Sequence, residues 1–183
     1  MSAQGANRQA SKATSQSHVK ILAEMVMMIA LATILYFTRI YTFPQGGSVT
    51  LGSMIPLMLL SLRRGAKIGI SAGVIYGLII LYLEPFVYNP FQVLLDYPLA
   101  FGALGLAGLF RRLPIIGVAI AMLGRFVCHF LSGIIFFASF APPEMSPIVY
   151  SALYNGSYLG VEFVISAIII YALLRRGVLN IFR

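Results

Sequence analysis

Apolar runs separated by short polar punctuation divide the chain into six parts: Ile21 to about Tyr41, Val49 to Leu62, Ile68 to Leu83, Pro90 to Arg112, about Ile115 to Phe140, and about Ile148 to Leu174. Runs of this kind approach the roughly 20 residues that a bilayer-crossing helix takes, and they predict six transmembrane helices. The second run is short for a span and contains Pro56, so it is expected to be broken or to begin with loop residues that dip into the bundle. In the third, Gly69, Gly73 and Gly77 recur every four residues and form a face along which another helix can approach closely. In the fourth, Ala100, Ala103 and Ala107 follow Asp96 at helical spacing, which turns the acid and this small-residue face toward the inside of a bundle. Residues 1–19 are rich in Ser, Ala, Gln and Lys and contain no apolar core, so they read as a disordered polar tail rather than a secretory signal.

Composition narrows this reading. The 183 residues are 60% hydrophobic and 10% charged, with a mean hydropathy of +0.91, which excludes an ordinary soluble domain. The fold class predicted is an all-α integral membrane protein: one six-helix transmembrane bundle over residues 20–183, with no room for a soluble catalytic domain. A net charge of +8 could suggest a nucleic-acid partner, but the basic residues sit at the ends of apolar runs, where they act as topology signals. Arg63, Arg64 and Lys67, the Arg111–Arg112 pair and the basic 175–183 tail fall on one side with Lys20. The opposite loops carry Glu84 and Glu144, with Arg39 near a span end. The positive-inside rule then puts both termini in the cytoplasm and the protein in the cell membrane. Glu24, four residues after Lys20, is expected to pair with it near the membrane surface. Cys128 stands alone, so no intrachain disulfide is possible.

The chemistry is concentrated on three spans. A carboxylate well inside a transmembrane helix costs roughly 2.5 to 3.5 kcal/mol on insertion scales, so Asp96 needs a partner, a cavity or a ligand. Counting about 1.5 Å per residue from the outer helix ends places Asp96 at roughly 8 Å depth, Asn155 at roughly 10 Å and His129 at roughly 16 Å, with Tyr97 and Tyr150 shallower. Acid, amide, imidazole and phenols thus gather in the outer half, as in a pocket for a small molecule. Phe137 lies at the edge of the face carrying Arg125, His129, Gly133 and Phe136, and an aromatic wall beside an acid suits a flat heteroaromatic cation. Arg125 and Glu162 come out deeper, at roughly 21 to 23 Å, where they are expected to form a structural ion pair. The alternative pairing, Arg125 with Asp96, stays open at this point, as does an aromatic core without a ligand.

No Gly-flanked Ser with a His and an acid, no paired carboxylates and no phosphate loop accompany the cluster, so an enzyme is not expected and the chain cannot power transport alone. No second His exists in any span, so neither a metal nor another cofactor is implied.

Four stretches in one order, GGSVTLGSMIPLMLLSLRRG at 46–65, QVLLDYPLAFGALGLAGLF at 92–110, HFLSGIIFF at 129–137 and YSALYNG at 150–156, resemble the thiamine-specific substrate-binding subunits (S components) of energy-coupling factor (ECF) transporters. The resemblance runs from about Lys20 to the C-terminus. It implies six helices, a thiamine site near the outer face, and partnership with one ECF transmembrane subunit and two ATPase subunits in the lipid bilayer. Asp96 stands where that family has a Glu or Asp contacting the vitamin, with Tyr97 beside it, and His129, Tyr150 and Asn155 fall on binding positions. Phe137 occupies a position where some members have a stacking Trp, and Phe86 one where some have a Tyr. The resemblance further implies that the TFPQGGSVT loop covers the ligand, and that the first span docks the partner through a face seen here as Val26 and Ala30. Rival readings are an S component for another vitamin, such as riboflavin or biotin, a small intramembrane enzyme, and a non-transporting scaffold.

Overall fold

A computed structural model describes residues 3–177, apart from the side chains of residues 3–15 and 17. Residues 178–183, which include Arg183 of the basic tail counted above, lie outside the described residues. Helix α1, Ala3–Tyr36, already begins in the polar segment for which a disordered tail is expected, and its membrane-length apolar part is His18–Tyr36. Strands β1, Arg39–Thr42, and β2, Ser48–Thr50, follow, then α2, Ile55–Arg64, and α3, Ala66–Leu83. Helix α4 is the composite rod Pro90–Phe110, α5 is Pro114–Phe136 and α6 is Pro147–Arg175. Five of these helices are long and apolar enough to cross a membrane, so the chain is a multi-pass membrane protein.

One element, a β-hairpin, differs from the expected all-α bundle. The first span ends at Tyr36 instead of continuing to Tyr41, because the β-branched and aromatic residues Thr38, Ile40, Tyr41 and Thr42 favour extended backbone and pair as an antiparallel hairpin, Tyr41 opposite Val49 and Thr42 opposite Ser48. Gly46, at φ 89°, supplies the left-handed residue of the turn, which Phe43 N–H closes on Gly47 O at 2.6 Å. The second run is a helix of only 10 residues, about 15 Å long, which is half of a bilayer core. Its entry is strand β2 followed by bends and a turn over residues 51–54, mostly buried, the loop residues in the bundle that Pro56 and the short run predict. Leu57, Met58 and Leu60 in α2 have no exposed surface and form the centre of the core.

Helices α3 and α4 meet along glycine. A Cβ on Gly73 would overlap the carbonyl of Phe101, one on Gly77 would lie 2.6 Å from Tyr97 O, and one on Gly105 would run into the backbone of Gly69 and Ile70. The four-residue glycine repeat is therefore a seam where backbone touches backbone, with Ser61 of α2 donating to Gly105 O at 2.5 Å and accepting from Gly108 N–H at 2.9 Å. Within α4, Pro98 has no N–H for the carbonyl four residues earlier, and the helix widens to a π turn over Leu95–Leu99, where Ala100 N–H reaches Leu95 O. Asp96 and Tyr97 are presented from this widened turn.

The other end of the bundle is held by arginine. Buried Glu24, 5% exposed, does not pair with Lys20; it binds Arg63 Nη1 at 2.5 Å and Arg64 Nη2 and Nε at 2.5 and 2.6 Å, tying α1 to the C-terminus of α2. Two guanidinium groups outcompete one ammonium because they match both carboxylate oxygens in a poorly hydrated place. Arg111 completes this end by donating to the carbonyls of Leu62 and Arg63 at 3.0 and 2.6 Å, which caps α2.

If the α3–α4 seam sets the packing, Gly73→Ala should lower stability by about 1 to 3 kcal/mol through overpacking. Gly160→Ala, where an added Cβ meets nothing within 4 Å, should not. Thermal unfolding of the purified protein in detergent checks this, and equal melting temperatures for the two variants would remove the seam's importance.

Candidate functional site

Opposite the arginine end, the hairpin, the loop after α3, the start of α4, the end of α5 and the start of α6 surround a cavity. All six residues expected to form a site, Asp96, Tyr97, His129, Phe137, Tyr150 and Asn155, line it. The Asp96 carboxylate pairs with no arginine among the described residues. It accepts from Gln92 Nε2 at 2.7 Å and Ser132 Oγ at 2.9 Å on Oδ2, and from His129 Nδ1 at 2.9 Å on Oδ1. Because the carboxylate accepts, Nδ1 carries the ring proton, and His129 Nε2 is left as a buried atom with no hydrogen-bond partner among the described residues.

Three different strategies hold the remaining groups. Asn155 is clamped through its own helix turn and its neighbour: Nδ2 donates to Ser151 O at 3.0 Å and His129 O at 3.3 Å, and Oδ1 accepts from Tyr158 at 3.0 Å. Gly133 makes this contact possible, since a Cβ there would overlap Ser151. Tyr97 presents its ring to the cavity while its hydroxyl donates to Glu84 O at 2.9 Å and accepts from Phe86 N–H at 2.8 Å, so it also shapes the loop after α3. Phe137 makes the aromatic wall with Phe86 and Tyr88, at ring distances of 5.9 and 5.6 Å, and Tyr150 stacks on Tyr154 at 6.0 Å.

The hairpin turn lies across this arrangement. Gln45, Gly46, Gly47 and Ser48 line the cavity, Gly47 N–H donates to the Tyr154 hydroxyl at 3.2 Å, and Phe43 packs on Tyr154 and Tyr158. At the rim, Arg39 of β1 pairs with Glu84 and lies over the Tyr36 ring, whose hydroxyl donates to the same carboxylate at 3.2 Å.

The expected Arg125–Glu162 ion pair is not among the salt bridges of the described residues, although both side chains line the deep part of the cavity. Helical depth counting treats the spans as bare rods and omits the hairpin, and it is the hairpin that takes Glu162. Oε1 accepts from Thr50 N–H at 2.5 Å and Thr50 Oγ1 at 2.7 Å, satisfying extended backbone inside the bundle. Arg125 instead lies 3.9 Å from the Phe101 ring centroid, 7% exposed, with Nε and Nη1 lacking hydrogen-bond partners. Neither does Arg125 pair with Asp96. Sequence reasoning also passed over Gln92 and Ser132, although helical spacing puts Gln92 one turn before Asp96 and Ser132 one turn after His129.

Residues 22–180 match the family model described as thiamine transporter protein (Thia_YuaJ). The chain belongs to this thiamine transporter family. It is a family of transport proteins and not of enzymes. Among similar proteins, the thiamine transporter ThiT of Bacillus subtilis is 36% identical over 168 residues, covering 81% of this chain and 87% of its own. ThiT of Lacticaseibacillus paracasei is 29% identical over 141 residues, covering 66% and 70%. The solved structure of ThiT from Listeria monocytogenes superposes with a TM-score of 0.79 at 24% identity, over 87% of this chain and 96% of that one, and so shares the fold of this family member.

Proposed function

We propose that the chain is the high-affinity thiamine-binding membrane subunit of an energy-coupling factor uptake transporter, and that the vitamin occupies the cavity around Asp96. The observation that carries this reading is the half-buried Asp96 carboxylate, set beside an aromatic wall and held by Gln92, His129 and Ser132, with no arginine or lysine paired to it among the described residues. Thiamine combines a flat aminopyrimidine with a cationic thiazolium. Asp96 supplies the negative charge, and Phe137 and Phe86, which line the cavity, supply faces on which a ring can lie. His129 Nε2 provides a polar atom without a protein partner, and Tyr97, Tyr150 and Asn155 complete the wall. The ionisable lining favours a cation over an anion such as biotin: Asp96 and Glu162 face the cavity against Arg125.

In this reading the hairpin and α2 together make a sixth crossing between the five membrane-length helices, and both termini are cytoplasmic by the positive-inside rule. The cavity then opens outward, and the arginine end faces the cell interior. Without an ATP-binding motif, delivery depends on a separate ECF transmembrane subunit with two ATPase subunits. The Phe43–Gly47 turn acts as the lid, because its glycines lie directly over the cavity and rest on Tyr154 and Tyr158.

Three outcomes test this reading. In a calorimetric titration, thiamine should bind saturably without turnover, and Asp96→Asn should weaken binding by about 1.5 to 3 kcal/mol, the loss of a charged hydrogen bond, more than it lowers stability. Unchanged affinity with only a lower melting temperature would make Asp96 structural. A nitroxide at Ser48 should lose mobility on adding thiamine, and Gly47→Val should change the release rate, since a Cβ there would lie 2.8 Å from the Tyr158 ring; an unaltered spectrum and rate would make the turn a plain connection. A reporter fused after Arg183 should read as cytoplasmic, and an extracellular signal would overturn the orientation.

A further inference from the structure

We infer that Gln92 is the positioning residue of the site: its side-chain amide aims the Asp96 carboxylate and couples it to the loop that carries the aromatic wall. The inference rests on the reading of Asp96 as the ligand's counter-charge. Gln92 has no exposed surface although it lines the cavity. Its hydrogen-bonding capacity is fully used. Nε2 donates to Asp96 Oδ2 at 2.7 Å and to Phe86 O at 3.2 Å, and Oε1 accepts from Tyr88 N–H at 2.9 Å and Asn89 N–H at 3.5 Å. A primary amide offers two donors and two acceptor lone pairs, so nothing remains for a ligand. Gln92 therefore acts through the groups it holds.

These groups belong to two parts of the site. One is the charge: with Ser132 also on Oδ2, the carboxylate plane is set and Oδ1 is left to His129. The other is the 84–89 loop, whose Phe86 and Tyr88 rings face Phe137 and whose carbonyl and N–H groups Gln92 takes up at both ends. A single amide thus sets the relation of the negative charge to the ring wall, the two features a flat cation needs together.

A plainer role exists beside this one. Gln92 is the third residue of α4 and forms a capping box with Asn89, and a cap uses only its Oε1. Glutamate serves in such boxes equally well, because it keeps the acceptor and removes only the donors. Gln92→Glu therefore separates capping from positioning. At alkaline pH the introduced carboxylate cannot donate to Asp96 and repels it. At acidic pH it keeps a proton, since two carboxylates at hydrogen-bond distance do not both ionise readily, and one O–H then restores the contact.

The experiment is thiamine titration of the purified full chain at pH 5 and pH 8, with the melting temperature of each unliganded variant. Gln92→Glu should keep its stability at pH 5, where the introduced acid holds a proton, and at pH 8 should bind about 10- to 100-fold more weakly than wild type, with most of that ratio recovered at pH 5. Combined with Asp96→Asn it should lose little beyond Asp96→Asn alone, because both changes break one interaction. Gln92→Ala, which removes the cap as well, should show the same coupling without the pH-dependent recovery. Wild-type-like binding by Gln92→Glu at pH 8, or losses that multiply with those of Asp96→Asn, would reduce Gln92 to a cap. If Asp96→Asn itself binds as wild type does, the reading of the site fails first; if it weakens binding and Gln92→Glu does not, only the Gln92 inference falls.

Discussion

A carboxylate in an apolar bundle must be compensated, and how Asp96 is compensated shapes the whole hairpin end of the molecule. A neighbouring arginine would have neutralised it. Gln92 of α4 and His129 and Ser132 of α5 instead satisfy its oxygens, with no arginine or lysine paired to it among the described residues. That arrangement requires α4 to widen at Pro98 so that Asp96 faces the cavity, α5 to bring His129 and Ser132 alongside, and Gln92 to stand one turn earlier. A structural ion pair there would leave no charge for a cation. In the proposed function, that charge is what meets the cation of the vitamin.

A second constraint acts on the backbone. Extended chain inside a bilayer must find every hydrogen bond within the protein, and the hairpin meets that demand by bringing Thr50 to Glu162. A charged acceptor holds the β2 end in the bundle, while the Phe43–Gly47 turn rests on tyrosine rings and on backbone hydrogen bonds to the Tyr154 hydroxyl. The two ends are held unequally. A firmly tied base and a lightly held tip are what a covering segment needs, because only the tip has to give way. At the opposite end, the Glu24 clamp and Arg111 fix α1 and α4 around α2.

Much of this was legible in the sequence, and for identifiable reasons. Helical elements longer than a bilayer core announce themselves by length and hydropathy, and the four-residue glycine repeat read as a close seam proved to be one, facing Phe101 and Gly105. All six candidate site residues reached one cavity because they sit near the same ends of three helices, and counting along helix axes captures that. Pairings between different elements were another matter. Glu24 chose arginines some 40 positions away over Lys20, and Glu162 chose a threonine on a hairpin that composition alone made look like loop. Partner choice depends on the rotation of each helix about its axis, and no helix's own sequence contains its neighbour's rotation. Strands of four and three residues leave too little alternation to recognise. Gln92 and Ser132 were the recoverable omissions, since both lie one helical turn from a residue already singled out.

The central claim is that the Asp96 carboxylate, set against an aromatic wall, receives thiamine. A structure of the protein determined with the vitamin bound tests it most directly. The account predicts density for thiamine inside the hairpin-end cavity, a ring lying against Phe137, polar atoms within hydrogen-bond distance of Asp96 and His129 Nε2, and Gln92 still bound to Asp96. Thiamine found on another surface, or in the cavity with Asp96 turned away from it, would contradict the account.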